Sequence, residues 1–494
     1  MNKKTVVLIV AFVGCLVPFT IKAQEIKVTK SPEILKGDEL TVDFVIAGQA
    51  ANNLYVYRRI EKGIELYKFD KTTLKLADKK EISFKLREDA TKTRTPDLNK
   101  VLILKDHIIV FTDLYYKGDN ESSLYARRFD FNLNPVKEWQ KLEYINTEIS
   151  AHPGMFLITA SADSSRILIV KTETITNNKG NEKLSFTVIN PKLSWMSSKD
   201  EELKYADTRT NVAGYKIAND GTVHLLVKVE EEKETVYKLC RFTLNNANEF
   251  VASEFDLKLP GKKTADITCE INNAGDLLVA GFYSAGSEKI QGIFSGWILN
   301  GSNAVFTPVY TDVAGLPDTR PIIDKLNIQH ENAFELFAEE RYQAAGAPAV
   351  YHQNAVHYFS MANAGSLNSY STVLKSSKAE DISVNSFLSY FSYTGNNAPL
   401  LFFNEHRSNL EAENYKEFTA TQKDNKRVLV YTTFDGDKIT RVPLLKESDE
   451  GNGFMPRYAM QISPGEMLML GKRHENYVLY IITIQSKEHL VSGH

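Results

Sequence analysis

Apolar residues along the chain fall into short runs that are rich in β-branched and aromatic residues. Clear examples are residues 54–57, 101–104, 108–111, 167–170 and 428–431, each bounded by polar residues. Runs of this kind predict β-strands. No stretch of about 12 residues or more keeps the periodicity of an amphipathic helix. The 23 tyrosines and 26 phenylalanines also suit pleated sheets. The sequence therefore predicts an all-β protein.

A unit of four predicted strands recurs along the chain. Its clearest copy begins near residue 212 and reads GYKI, the turn Asn219-Asp220-Gly221, TVHLLVKV, the charged loop EEEKE, TVYKLCRFTL and EFVASEFDL. The next copy starts with ITCEI and turns at residues 272–275. Comparable units begin near Phe44, Val101, Met155, Ile328, Leu388 and Tyr458. They are longer than the roughly 40–50 residues of a typical propeller blade, which extended loops allow.

These repeats predict one β-propeller of seven or eight blades over residues 24–494. The final unit shows only three strands, YAMQI, EMLMLGKR and NYVLYIITIQ, whereas EIKVTK and ELTVDF near the N-terminus belong to no unit. We expect an N-terminal strand to complete the last blade, because a closed ring leaves no long unpaired edge. The alternative is a tandem pair of β-sandwich domains, which also use short strands. Residues 86–100, 340–350 and 446–457 are predicted to be loops.

The first 23 residues have the pattern of a signal peptide. Lys3 and Lys4 precede an apolar run at residues 6–17, and Ala23 offers a small residue for cleavage before Gln24. The run is shorter than the roughly 20 residues that cross a bilayer, and no later stretch reaches that length. A lipoprotein signal at Cys15 is disfavoured, because Cys15 lies inside the apolar run. We therefore expect an exported protein, in the periplasm or at the outer membrane, whose mature chain has no transmembrane segment.

Charge and cysteine content exclude some classes of function. Loss of Lys3, Lys4 and Lys22 with the signal lowers Lys plus Arg from 59 to 56 against 62 acidic residues, so the net charge moves from −3 to −6. Both signs are interspersed, which argues against a nucleic-acid partner. Cys240 and Cys269 lie in alternating strands, and we expect two free buried thiols rather than a disulfide.

No motif for catalysis, a metal or a cofactor is recognised. The segment Gly292-Ile-Phe-Ser295-Gly296 has the wrong spacing for a nucleophile elbow, and the acidic segments 113–121 and 435–437 do not match a calcium loop. His352 and His357 are five residues apart in a predicted strand, so alternation places them on opposite faces. We predict no catalytic residues, no metal and no cofactor, although the sequence does not decide whether the protein is an enzyme.

Two polar clusters follow apolar strands and are flanked by aromatic residues. They are the candidate binding residues of this sequence: Glu339, Glu340, Tyr342, Asn404, His406 and Arg407. Polar residues at strand ends can line a face of a propeller or a groove between blades, where binding residues are often found. The competing interpretation is that they are solvated loop ends.

The second half of the chain, from Asp276 to about Ile484, resembles an uncharacterised family of exported, propeller-like proteins of Bacteroidota. The similar segments are LLVAGFYSAGSEKIQGIFSGWIL, ELFAEERYQ, AVYHQNAVHYFSMANAG, FLSYFSY, LLFFNEHRSNL and MLMLGKRHENYVLYIITI. Where the family has an Asp-Gly turn, a Trp-containing strand and a Pro-Lys segment, this chain has residues 363–365 and SLNSYSTVLKS, without the Trp and Pro. The resemblance implies origin, export and fold, and no activity.

Two functions remain open from the sequence. The first is a binding or scaffold module in the cell envelope with a protein or glycan partner, since propeller faces present loops. The second is a carbohydrate-active enzyme or glycan-binding propeller, which rests on compartment and fold analogy. A broad interaction surface would favour the first. A deep pocket with paired acids and perturbed pKa values would favour the second.

Overall fold

The chain folds into eight antiparallel sheets. The computed structural model describes residues 24–37, 44–84, 86, 96–116, 120–146, 154–172, 180–206, 210–231, 234–286, 289–302, 305–317, 319–330, 333–344, 350–362, 365–379, 385–395, 399–410, 419, 427–435, 438–444 and 453–486. The predicted signal peptide, including Cys15, lies outside these residues. So do positions 363 and 364 of the family-like turn and most of the acidic segment 435–437.

The sheets follow one another along the chain, and we number them as blades 1 to 8. Two strands precede the first blade: β1 (Gln24–Lys30) and β2 (Leu35–Lys36). Blade 1 contains β3 (Phe44–Ala50), β4 (Asn53–Ile60), β5 (Gly63–Asp70) and β6 (Leu76–Ser83), and blade 2 contains β7 (Asp97–Ile103), β8 (Ile108–Tyr116), β9 (Glu121–Phe129) and β10 (Gln140–Asn146). Blade 3 contains β11 (Met155–Ala160), β12 (Ile167–Thr172), β13 (Asn181–Ile189) and β14 (Trp195–Ala206). Blade 4 contains β15 (Thr210–Ile217), β16 (Val223–Glu230), β17 (Thr235–Leu244) and β18 (Phe250–Asp256).

The second half of the chain repeats this order. Blades 5 and 6 contain β19 (Lys263–Ile271), β20 (Leu277–Ser284), β21 (Gly292–Ile298) and β22 (Val309–Asp312); and β23 (Pro321–Ile328), β24 (Phe334–Ala344), β25 (Val350–Met361), β26 (Leu367–Val373) and β27 (Ser377–Ala379). A short helix, α1 (Asn385–Leu388), leads into blade 7. Blades 7 and 8 contain β28 (Tyr390–Tyr393), β29 (Leu400–His406), β30 (Arg427–Asp435) and β31 (Lys438–Pro443); and β32 (Gly453–Phe454), β33 (Met460–Ser463), β34 (Glu466–Arg473) and β35 (Asn476–Ser486). Single 3₁₀ turns occupy Arg407–Leu410 and Pro456–Tyr458.

The eight sheets form an eight-bladed β-propeller. Blades pack face to face through apolar clusters that combine residues of two neighbouring sheets. Between blades 3 and 4, for example, the Phe186 ring centroid lies 4.8 Å from that of Phe242 and 5.0 Å from that of Phe250. The predicted all-β propeller is confirmed, with eight blades. The alternative of tandem β-sandwiches is excluded.

The ring is closed by the N-terminal strand. β1 pairs antiparallel with β35, from Gln24 opposite Ser486 to Lys30 opposite Tyr480, and so supplies the outer strand of blade 8. β2 adds two residues to the same edge, with Leu35 opposite Tyr477. This is the predicted closure, in which the last unit contributes three blade strands and the N-terminus contributes the fourth.

Each blade is an up-and-down meander, so the two ends of its strands have different connections. The turns between first and second strands and between third and fourth strands lie on one side of the ring, which we call the turn face. The second-to-third hairpins and the links between blades lie on the other side, which we call the connection face. All three predicted loops are partly strand. Residues 97–100 belong to β7, and β24 runs through to Ala344, because both stretches find backbone partners that local sequence does not reveal. In the third predicted loop, residues 453–454 form β32.

Third-to-fourth turns are held by hydrogen bonds, one of which comes from the preceding blade. In blade 2 the Asp130 carboxylate accepts the N–H groups of Asn132 (2.9 Å) and Asn134 (2.8 Å), while Leu133 adopts a φ of +62° and its side chain is buried. The Tyr55 hydroxyl of blade 1 donates to the carbonyl of residue 131 in that turn (3.1 Å). The same Asx-stabilised geometry recurs at Asn190 and Asn245. Hydrogen bonds therefore hold the turns of this face in place, in addition to the apolar packing between blades.

Candidate functional site

All six candidate residues lie on or directly after the second strands of two adjacent blades, from the middle of each strand towards the connection face. Glu339, Glu340 and Tyr342 belong to β24 of blade 6. Asn404 and His406 belong to β29 of blade 7, and Arg407 opens the following 3₁₀ turn. Both strands are the second of their blade, which explains why the two sequence clusters occupy equivalent positions.

Glu339 is fully buried and forms an ion pair with a residue outside the predicted clusters. The Lys375 ammonium lies 2.7 Å from Oε1 of Glu339, and both side chains are 0% exposed. Lys375 follows β26 in the link from blade 6 to blade 7. It also donates to the backbone carbonyls of Gln353 (3.1 Å) and Leu388 (2.7 Å). One ammonium thus joins β24, β25 and the start of blade 7.

Arg341 extends this network towards the inner strand of blade 6. Its Nε donates to Oε2 of Glu339 (2.7 Å), and its guanidinium contacts Oδ1 of Asp324 at 2.5 Å. Burial alone would lower the pKa of Arg341, but the carboxylates of Glu339 and Asp324 outweigh it and raise that pKa. Burial raises the pKa of Asp324 to about 6, although Arg341 opposes the rise.

Glu405, between two candidate residues, is a second fully buried acid. Its Oε1 accepts hydrogen bonds from Nδ2 of Asn409 (2.6 Å) and from the backbone N–H of His406 (3.0 Å). Burial raises the pKa of Glu405 to about 7, against the effects of the Asn409 bond and of the positive charges on Arg441 and Lys375. Lys375 therefore forms its ion pair with Glu339, while its charge also slightly lowers the pKa of Glu405.

Asn404 has a structural position inside blade 7. It is 2% exposed, and its Nδ2 donates to the carbonyls of Phe387 and Phe454 at 2.7 Å each. Its Oδ1 accepts the N–H of Phe454 at 3.1 Å. These bonds hold α1 and β32 against β29. His406 is also buried, with Nδ1 2.7 Å from Oγ of Ser408. Neither Asn404 nor His406 lies on an open surface.

Glu340, Tyr342 and Arg407 are the candidate residues that reach solvent. Tyr342 is 46% exposed, and its ring stacks on His352 with centroids 4.6 Å apart and planes inclined by 5°. Arg407 is exposed at the equivalent end of blade 7. Glu340 is half-buried, with Oε1 3.2 Å from Nε2 of His357. The six candidate residues thus fall into two groups: buried residues that hold the strands in place, and residues that reach solvent.

The pairing of β24 and β25 corrects the predicted orientation of two histidines. His352 lies opposite Tyr342 and His357 lies opposite Ala338, four residues apart on β24. An extra residue in β25 between these pairs shifts the alternation, so both histidines are on the same face of the sheet. Within the described residues, no group of three or more His, Cys, Asp or Glu side chains is placed to hold a metal ion.

A cleft of about 1160 Å³ opens on the same connection face, over blades 4 and 5. It lies between the hairpin that joins β16 to β17, the link from β18 to β19 and the hairpin that follows β20. Acidic side chains of the blade 4 hairpin and basic side chains of the link both line it. The cleft was not predicted from the sequence. Its one signal was the charged loop EEEKE.

The buried network does not resemble a hydrolytic pair. A glycosidase holds two carboxyl groups across a space that the sugar and water occupy. Glu339 and Glu405 are fully buried, and Glu339 is neutralised by Lys375 and Arg341. Their geometry stabilises the packing of blades 6 and 7 rather than exposing an acid and a base to substrate.

Comparison with known proteins adds no family. No protein-family model matches the chain, and no curated protein matches it. Solved structures do match it. The β-propeller domain of the Trilobed protease from Pyrococcus furiosus is 8% identical, with a TM-score of 0.39, and the match covers 83% of this chain and 98% of that one. The Dos1 propeller is 8% identical, with a TM-score of 0.42 and coverage of 91% and 94%.

A third match is dihydro-heme d1 dehydrogenase NirN in complex with DHE, 10% identical, with a TM-score of 0.43 and coverage of 92% of this chain and 75% of that one. At such identities and TM-scores these similarities carry no argument about function. Among the described residues, no helix is long and apolar enough to cross a membrane.

Proposed function

We propose that this propeller is exported and acts as a non-enzymatic binding or scaffold module in the periplasm or at the outer membrane, with a protein partner. The observation that carries the proposal is the rigid presentation of Tyr342 and Arg407. Tyr342 follows a strand segment that the buried Lys375–Glu339 ion pair fixes, and Arg407 follows a segment that the hydrogen bonds of Glu405 with Asn409 and His406 fix. A preorganised surface loses little conformational entropy on binding, which favours affinity.

Export is supported by the N-terminal pattern, with which the closing strand is compatible. β1 begins at Gln24, the residue that follows the predicted cleavage site. Signal removal would therefore leave the closing strand intact. N-terminal sequencing of protein from the envelope fraction should read Gln24 first. An intact Met1 or an acylated Cys15 would contradict this part of the proposal. We also propose membership of the exported Bacteroidota family that the second half of the chain resembles.

The binding function is tested by cross-linking the tagged mature protein in its native envelope. We expect defined protein adducts with the parent protein, and at least a tenfold loss of those adducts in Tyr342→Ala/Arg407→Ala. Trp195→Ala is the matched control, because Trp195 is 65% exposed near a third-to-fourth turn, on the turn face. Equal adducts in the parent and the double variant would contradict the proposal.

One observation favours the glycan-binding alternative. The stacked rings of Tyr342 and His352 offer a flat, partly exposed apolar surface beside the polar side chains of Glu340 and Asn354, whose Nδ2 lies 3.3 Å from the Tyr342 hydroxyl. Binding sites for small ligands combine apolar contact with a few placed polar groups. Tyr342-dependent binding on an immobilised glycan panel, without protein adducts in the envelope, would favour this alternative.

A further inference from the structure

The cleft over blades 4 and 5 carries exposed charges of both signs. Glu231 and Glu234 stand on the blade 4 hairpin, whereas Lys258 and Lys263 stand on and after the link to blade 5. All four residues are exposed. In the part of the chain that the structure describes, none of these four has an ion-pair partner.

Other charged residues near the cleft, in contrast, do have partners. Glu230, at the same hairpin, pairs with Lys228 at 2.9 Å. Lys262, in the cleft itself, has its ammonium 4.1 Å from the ring centroid of Tyr283. Close opposite charges are therefore paired or packed around the cleft, while the four cleft charges remain available to a ligand.

The floor of the cleft is apolar. Val236, Leu257 and Leu259 line it, and each is less than one-tenth exposed. Its volume exceeds the roughly 300–1,000 Å³ of common small-molecule pockets. A ligand that fills it must supply apolar groups for the floor and charges of both signs for the walls. A polyanion such as a nucleic acid or acidic glycan would be repelled by Glu231 and Glu234.

We propose that this mixed-charge cleft binds an extended peptide segment that carries both cationic and anionic side chains. The proposal rests on the proposed binding function and adds a second site on the same face, distinct from Tyr342 and Arg407. Cationic side chains of the peptide pair with Glu231 and Glu234, and anionic side chains pair with Lys258 and Lys263. Electrostatic complementarity of this kind gives specificity and weakens with salt.

The test uses three fluorescein-labelled peptides with one apolar framework and different charges: a lysine block with a glutamate block, lysines only, and glutamates only. Fluorescence anisotropy on the mature protein at low salt should show the mixed peptide binding at least tenfold more tightly than either of the others. The predicted net charge of −6 would by itself favour the lysine peptide. Equal binding of all three peptides, or strongest binding of the lysine peptide, would overturn the proposal.

Charge-reversal variants of the cleft provide a second test. Glu231→Lys/Glu234→Lys keeps Glu230 but makes the lining of the cleft predominantly basic, and it should shift the preference to the glutamate peptide. Lys258→Glu/Lys263→Glu keeps Lys262 and Arg320 but makes the lining predominantly acidic, and it should shift the preference to the lysine peptide. Glu249→Lys, an exposed residue at a third-to-fourth turn, is the matched control and should keep the preference for the mixed peptide. Unchanged preference in both double variants would overturn the proposal, even if adducts that depend on Tyr342 and Arg407 persist and the proposed function stands.

Discussion

The ammonium of Lys375 lies 2.7 Å from the carboxylate of Glu339, and solvent reaches neither side chain. The two residues belong to the blade 6–7 link and to the second strand of blade 6. A buried ion pair is costly to desolvate, so its presence does not by itself show a gain in stability. Removal of Lys375 is a different matter, because it leaves Arg341 as the remaining cation beside the buried Glu339 carboxylate.

Lys375→Met should therefore lower the free energy of unfolding by about 3–5 kcal/mol. The double variant Lys375→Met/Glu339→Met should recover part of that loss, because it removes the buried charge together with its partner. Urea unfolding of the parent, both single variants and the double variant gives the coupling energy directly. Additive effects of the two substitutions would show that the pair is not coupled.

Glu405 should make stability depend on pH. Its pKa is raised from 4.5 to about 7 in the folded protein, chiefly by burial. Between these values the folded state binds more protons than the unfolded state, so stability falls as pH rises and levels off above about pH 7. The effect is at most about 3 kcal/mol, from 1.36 kcal/mol per pKa unit. Asp324, with a pKa raised to about 6, acts in the same direction.

Glu405→Gln tests this dependence, because glutamine keeps the shape and the hydrogen-bonding capacity but cannot ionise. We expect the variant to lose part of the fall in unfolding free energy between pH 4.5 and 7 and to match or exceed the parent above pH 7. The exposed Glu249→Gln should leave the parent profile unchanged. A profile of Glu405→Gln that superimposes on that of the parent would contradict the assignment.

Cys240 and Cys269 are free and buried, as the sequence predicted. They pack into clusters on opposite sides of blade 4: Cys240 of blade 4 faces blade 3, and Cys269 of blade 5 faces blade 4, which separates them. Burial raises the pKa of each thiol to about 12. Native mature protein should therefore react very slowly with a thiol reagent at pH 8, and denatured protein without reductant should give two thiols. A third thiol would show that Cys15 is retained.

Much of the fold could be predicted because it depends on local pattern. Gly221 and Gly275 end the Asn-Asp-Gly and Asn-Ala-Gly turns with φ of +97° and +88°, the left-handed geometry that such turns require. Strand alternation then determines which side chains enter the gaps between blades. The unpaired N-terminal strand signal and the incomplete last unit were together enough to predict closure.

The candidate site could be predicted only in part. Glu339 lies in a polar segment of the sequence, but Lys375, the buried cation that compensates its charge, is distant along the chain. Only the packing of the link against blade 6 brings the two residues together. His352 and His357 were placed on opposite faces because one extra residue in β25 is invisible to simple alternation. Contacts between blades and strand bulges are properties of pairing, which a single sequence does not specify.

The closing strand provides the last prediction. β1 covers the edge of β35 over seven residue pairs, and Ile26 and Val28 pack on the apolar cluster between blades 7 and 8. A protein that lacks residues 24–30 should melt about 5 °C or more below the parent and should self-associate, because an exposed strand edge can pair with another chain. Shortening the predicted loop 340–350 would not serve as a control, because residues 340–344 belong to β24. The control is instead strand complementation. The peptide QEIKVTK should raise the melting temperature of the truncated protein in a concentration-dependent way, as any ligand of the folded state does, whereas a scrambled peptide should have no effect. If the truncated protein melts like the parent and ignores both peptides, pairing of β1 with β35 does not stabilise the ring.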